Sequence, residues 1–231
     1  QTTPVQVDAV GADARGRLAS AIGLSNSQAS GRAIFSGMAT DKVPLGSADD
    51  LLSALELAAA GATTAGQVAA AVANWFASPT GYEAFYQGGS PLNPAPIAPG
   101  EVAEQDATAL DPAIRDTLSA FAMAALLDRG MLAGNREERA NLAQTAGQRL
   151  LSGEDRRITL AARIGTVEAQ VEAARTRNGA EETALGILRS EIGSVDPYEA
   201  ATRLETARSQ LESLYLVTAR VSRLSLVEFL R

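Results

Sequence analysis

From Leu160 to Ile192 the residues that matter for packing recur in alternating steps of four and three. The series is Leu160, Ile164, Val167, Val171, Ala174, Asn178, Glu181, Leu185, Leu188 and Ile192. A 3.5-residue repeat sustained over this length specifies an α-helix with one seam, and that seam must bury against other helices. The segment would run about 50 Å at 1.5 Å per residue. A helix that long is not stable in water on its own. The helical pattern reaches back to Asn135, which predicts one continuous helix over 135–192. A first helix over 5–30, read from Val10, Ala14, Leu18 and Ile22, would cover only about half of it. The rod therefore asks for partners from outside the chain. Asn178 and Glu181, beside Gly179, interrupt the seam. They are expected to be exposed where the rod is uncovered or bent, the alternative being a register-setting polar layer or hinge.

Gly193, Ser194, Asp196 and Pro197 end this helix and start another. Asp196 can cap it, with Pro197 at its first position and Glu199 at its third. The same alternation continues through Ala200, Leu204, Ala207, Leu211, Leu214, Thr218, Val221 and Ser225. Beyond Leu214 the helix is apolar on nearly every side: residues 214–230 hold eleven apolar positions out of seventeen. A helix that covers one core needs one apolar face, so this one needs neighbours on several sides.

The middle of the chain has a different character. Ser47 and Thr64 are candidate caps for helices 48–60 and 65–76. FYQGGSPLNPAPIAPG (85–100) holds four prolines and three glycines and reads as loop, turns and edge strands. Asp111 with Pro112 starts a further helix to about Leu127. Trp75, Phe76, Phe85 and Tyr86 are expected to be the core of this α+β insert, the alternative being a surface ligand patch.

Composition closes off several chemistries. The chain has no Cys and no His, which removes disulfides, thiolate nucleophiles, most zinc sites and histidine general bases. Net charge is −7 and pI about 4.8, against nucleic-acid binding. The pairs Asp49-Asp50, Glu137-Glu138 and Glu181-Glu182 are sequence neighbours that diverge on a helix, so they read as solvated faces rather than catalytic dyads. Lys42 is the single lysine and lies in a turn context. GATTAG (61–66) lacks the lysine of a phosphate-binding loop. No catalytic, cofactor-binding or metal residue is assigned, and the chain is not expected to be an enzyme. Residues 57–82 are uncharged, but their Gly, Thr, Gln, Asn and Ala content is too polar and small for a membrane span. Because the chain begins at Gln1, a leader or a longer N-terminal segment is expected to have been removed.

The stretch DPYEAATRLETARSQLESLYLVTARVSRLSL resembles the C-terminal segment of the flagellin family. Asp196, Tyr198, Glu199, Ala200, Leu204, Gln210, Leu211, Tyr215 and Leu224-Ser225-Leu226 carry the likeness. GRAIFSG (31–37), followed by TDKVPL (40–45), is similar to the turn that closes the first half of the family's rod. FYQGG and DPAIRDTLSAFAMAAL (111–126) are similar to the insert of the family's hook–filament junction proteins, the nearest likeness within it. Family members begin with a long N-terminal helix pair, and this chain starts too late to contain it.

The resemblance implies a mainly α fold: a long antiparallel helical-bundle or coiled-coil rod, a small α+β insert domain and an apolar C-terminal helix. The domains expected are a rod of 1–37 and 133–193, an insert of 38–132 and a C-terminal assembly helix of 194–231. The rod seam is Leu160, Ile164, Val167, Val171, Leu185, Leu188 and Ile192. The assembly interface is Leu204, Leu211, Leu214, Tyr215, Val217, Val221, Leu224, Leu226, Phe229 and Leu230. The resemblance further implies a secreted, extracellular structural subunit of the bacterial flagellum. It would form a ring of copies between hook and filament, beside a neighbouring hook-associated protein and flagellin. Export would be unfolded, through a narrow channel, after a chaperone releases the C-terminal segment; the absence of Cys is compatible with that route. Flagellin itself, the filament subunit, is the alternative within the family. A cytosolic coiled-coil adaptor is the alternative outside it.

Overall fold

The computed structural model describes residues 4–193 and 196–223. The protein is mainly α, with two short two-stranded sheets among the described residues. It divides into two units, Gln1–Ala174 and Arg175–Arg231.

The first unit opens with α1 (Pro4–Ser25). Its buried face is Val7, Gly11, Ala14, Leu18 and Ile22, a clean i, i+3/i+4 stripe. The expected first contact, Val10, is instead 42% exposed. Gly11 takes its place for a steric reason. A Cβ there would lie 2.7 Å from the Asp128 backbone nitrogen, so only glycine lets the two segments approach. A minimal hairpin follows, β1 (Gln28–Ala29) and β2 (Arg32–Ala33), turning through Ser30 and Gly31 at positive φ. The GRAIFSG segment is thus half strand, half turn. Its end is pinned elsewhere: the Gly89 N–H donates to the Ser36 carbonyl, and the Met38 N–H to the Ser90 carbonyl.

Helix α2 (Ala48–Ala58) starts with a full capping box between Ser47 and Asp50, and α3 (Ala65–Ala77) is capped by Thr64. A single turn, α4 (Tyr82–Phe85), follows, then the hairpin β3 (Ala95–Ala98) and β4 (Glu101–Ala103) from the proline-rich stretch. Helix α5 (Pro112–Ala125) has its Asp111 cap and Pro112 at the first turn. Trp75 and Phe76 pack edge to face at 5.1 Å, and Phe76 stacks on Tyr82 at 5.0 Å. The buried Tyr82 hydroxyl donates to the Ala109 carbonyl at 2.7 Å, and burial pushes its pKa up. Tyr82 is thus a core member that the sequence reading passed over.

The long helix expected over 135–192 is two helices, α6 (Arg136–Ser152) and α7 (Glu154–Gly193). Gly153 separates them: its N–H closes α6 on Arg149, and its own carbonyl accepts from the Arg157 N–H to begin α7. Glu154 and Asp155 then place negative charge in the first turn of α7. The break changes what α1 covers. Helix α1 packs mainly on α5 and less on α6, while α3 bridges α5 and α6. One hydrophobic cluster joins Val7 and Leu18 of α1, Leu51 and Leu55 of α2, Val68 and Val72 of α3, Leu118 and Met123 of α5 and Leu142 of α6. Helices α1 and α6, which fall in the expected rod of 1–37 and 133–193, share this core with α2, α3 and α5 of the expected insert. The reason is that α5 is buried along most of its circumference and needs α1 and α6 as cover.

Candidate assembly surface

The second unit holds residues 175–193 of α7 and α8 (Pro197–Arg223). The start of α8 follows from its first residues. The Asp196 carboxylate accepts from the Tyr198 N–H at 2.9 Å, Pro197 needs no donor there, and Glu199 pairs with Arg203 one turn on. Along α8 the threonines turn their hydroxyls inward: Thr202 donates to the Tyr198 carbonyl, Thr206 to Thr202 and Thr218 to Leu214. Back-bonding of this kind hides the polar atom and leaves the methyl outward.

Every described side chain from Asp196 to Val221 is exposed. That includes the predicted interface residues Leu204, Leu211, Leu214, Tyr215, Val217 and Val221, each more than half exposed. Leu216 belongs with them at 69%, although it is not in the predicted interface set. Leu224, Leu226, Phe229 and Leu230 lie outside the described residues. Burying a Leu or Val side chain is worth about 1.5–3 kcal/mol. A helix carrying this many uncovered ones gains strongly from any partner that covers it.

The predicted rod seam divides at the unit boundary. In the first unit Leu160, Ile164 and Val167 are half-buried and Ala174 is buried, with Val171 at 39% exposure. Arginines anchor this part of α7. Arg163 reaches Asp111 at 2.6 Å and Asp106 at 3.4 Å, Arg156 pairs with Asp116, and the Gln170 amide donates to the Val102 carbonyl. In the second unit Leu185, Leu188 and Ile192 are 65%, 52% and 87% exposed. Ile187, off the seam, is also exposed. Asn178 and Glu181 are exposed too, as the simpler of their two readings requires.

Two of the carboxylate pairs do structural work that the sequence reading did not assign. Asp49 is held by Arg15 and Arg129, both at 2.9 Å, and the Arg15 hydrogen bond and charge lower its pKa. Asp50 is the capping-box partner of Ser47. The Glu138 carboxylate accepts from the Ala65 N–H, so one helix caps another. The signal in the sequence was position: Asp49, Asp50 and Glu138 each sit in the first turn of a helix. Among the described residues no group of acidic side chains is arranged to hold a metal, and no helix is long and apolar enough to cross a membrane.

Comparison with known families picks out this surface. Residues 158–230 match the family model of the bacterial flagellin C-terminal helical region. The match takes in the whole of the 160–192 seam and all of α8. Over that segment the chain is flagellin-like, and flagellins are structural, non-enzymatic, self-assembling components of the bacterial flagellum. No curated protein and no solved structure matched the chain.

Proposed function

From a C-terminal region of flagellin type, we propose that this chain is a structural subunit of the bacterial flagellum that joins hook to filament, as the hook-associated protein 3 branch of the family does. One observation carries the reading: most of the flagellin-like segment, from Leu185 to Val221, keeps its described Leu, Ile, Val and Tyr side chains exposed. A surface of Leu, Val and Tyr kept out of water only in an assembly is what a polymer subunit needs. The junction position rests on the likeness of Asp196–Ala200 and Tyr215, of GRAIFSG and of the 111–126 stretch. In this reading copies form a ring, with another hook-associated protein on one side and flagellin on the other. An export chaperone covers the C-terminal segment beforehand, and the subunit ends outside the cell.

A second reading is the filament subunit itself, favoured by the matched region being that of flagellin. Removal of residues 214–231 in the source bacterium tests both. In the junction reading the cells stop swimming, hooks persist, and intact flagellin leaks into the medium. In the filament reading the truncated protein is itself the missing filament material, and no other flagellin appears outside. Cells that swim normally with attached filaments would overturn both.

A further inference from the structure

The second unit carries two seams of the same spacing. On α7 the seam runs through Asn178, Glu181, Leu185, Leu188 and Ile192, and on α8 through Ala200, Leu204, Ala207, Leu211 and Leu214. All of these are exposed, so α8 does not cover the α7 seam of its own chain. Laid antiparallel, the two seams mesh. Ile192 comes opposite Ala200, Leu188 opposite Leu204, Leu185 opposite Ala207, Glu181 opposite Leu211 and Asn178 opposite Leu214. Each step of four on one helix then meets a step of four on the other, and each step of three a step of three. The flanking charges select this register. It sets Glu182 beside Arg208 and Glu191 beside Arg203, with no like charges opposed among the flanking positions. Sliding α8 by one heptad sets Arg208 against Arg189 in one direction and against Arg175 in the other. A parallel pairing of α8 with α8 sets Arg203 against Arg208.

We propose that α8 of a second copy lies antiparallel on the 178–192 seam, and that the first copy's α8 lies likewise on the second copy's α7. The contact is isologous, so it closes as a dimer instead of growing. The charge pattern argues for this occupant, because it fits the chain's own sequence in one register and opposes the neighbouring ones. The dimer is a state outside the polymer. It occupies the α8 face that the assembly reading uses, and withholds that face until the polymer displaces it. Glu181 and Asn178 meet leucines in this register. Polar residues in a seam help to fix its register at a cost in stability, so the dimer is weaker than an all-leucine one and can give way. The proposal goes beyond the flagellar reading and is the same for a junction or a filament subunit.

The chain has no cysteine, so single cysteines report cleanly. Full-length Leu188→Cys is mixed with full-length Leu204→Cys and oxidised. Leu188→Cys mixed with Leu211→Cys reports the register one heptad away, and Leu188→Cys alone reports a parallel pairing. The first mixture should give at least about fivefold more cross-linked dimer than either control. A chain carrying both Leu188→Cys and Leu204→Cys should also cross-link between copies. Sedimentation should show a concentration-dependent dimer for wild type. Arg208→Glu should raise its Kd about fivefold or more, and adding Glu182→Arg on the same chain should restore it. Melting curves confirm that each variant keeps the first unit folded. Equal yields in the three mixtures overturn the proposal, and so does a control that exceeds the first mixture. Closure mainly within the doubly substituted chain overturns it in favour of the chain's own α8. A wild type that sediments as a monomer throughout, or a Kd indifferent to Arg208→Glu, overturns it as well. Electron microscopy keeps this failure apart from the other: normal polymers from a chain that never dimerises would leave the assembly reading standing.

Discussion

Residues 160–174 and 178–192 carry the same spacing and meet opposite surroundings. Ala174, the last seam residue of the first unit, is 1% exposed, whereas Leu188 in the second is 52% exposed. The first stretch is clamped by Arg156 and Arg163 to carboxylates around the start of α5. For the second, no described residue covers the seam positions. A heptad pattern thus states that a helix has a seam and where it runs. It is silent on whether the cover comes from the same chain. The flagellin-like match runs across both halves, so kinship at the sequence level does not distinguish them either.

The largest test of this contrast is a charge placed in each region. Leu55→Asp, in a fully buried site of α2, should cost more than about 4 kcal/mol and unfold the first unit, because a carboxylate would be stranded without a partner. Leu188→Asp should leave the monomer within about 0.5 kcal/mol of wild type and still abolish assembly. Urea melts with electron microscopy of the same samples read both effects. Leu185→Asp, which a buried seam would have made severe, belongs with Leu188→Asp, since Leu185 is 65% exposed. Comparable destabilisation in the two regions would break the comparison.

Glycines give a smaller version. Gly11→Ala would put its Cβ 2.7 Å from the Asp128 nitrogen, and the α1–α5 packing should lose about 1–3 kcal/mol. Gly186→Ala meets nothing within 4 Å and should gain about 0.5–1 kcal/mol of helix propensity. Circular dichroism would show opposite signs. Next comes Glu181→Leu, at an exposed position, expected within about 0.5 kcal/mol of wild type in the monomer. A loss several times larger would mean that Glu181 belongs to a buried polar network.

The smallest effect is a pH dependence confined to the first unit. Arg15 holds the Asp49 carboxyl below the ordinary carboxylate range, first through its hydrogen bond and then through its charge. A lowered folded-state pKa contributes stability that is present above the unfolded value, near pH 4, and is lost as pH falls through the folded value. The melting temperature of wild type should therefore exceed that of Asp49→Asn at pH 6, and the gap should close in acid, as pH falls through the lowered folded-state pKa. A gap that widens in acid would reverse the sign and refute the assignment.

Much of the local structure was legible. Ser47, Thr64, Asp111 and Asp196 were read as caps, and each accepts a backbone N–H at its helix start. The proline-rich 85–100 stretch was read as loop and edge strand and contributes β3. These succeed because a cap or a proline acts within four residues of itself. The break at Gly153 was missed, although Ser152-Gly153 followed by two acids is an end-and-start signal. The helical periodicity on both sides masked it. The exposed tail was read as apolar on several faces, and every described side chain of α8 is exposed. Its last residues, Leu224, Leu226, Phe229 and Leu230, rest on sequence alone.

What the sequence determined by itself is the list of helices, their ends and the apolar stripe each must bury, because backbone hydrogen bonding, capping and period are properties of neighbours in the chain. It also excluded thiol and imidazole chemistry, since the side chains are missing. Which stripe meets which was decided only in three dimensions. Gly11 admits the backbone at Asp128, α5 takes α1 and α6 as cover, and Arg163 pins the start of α7 to Asp111. Gly11 and Asp128 are more than a hundred positions apart, and Arg163 and Asp111 are 52 apart. Burial is a property of the packed set, and a stripe of leucines looks the same in sequence whether its partner lies in the same molecule or in the next one.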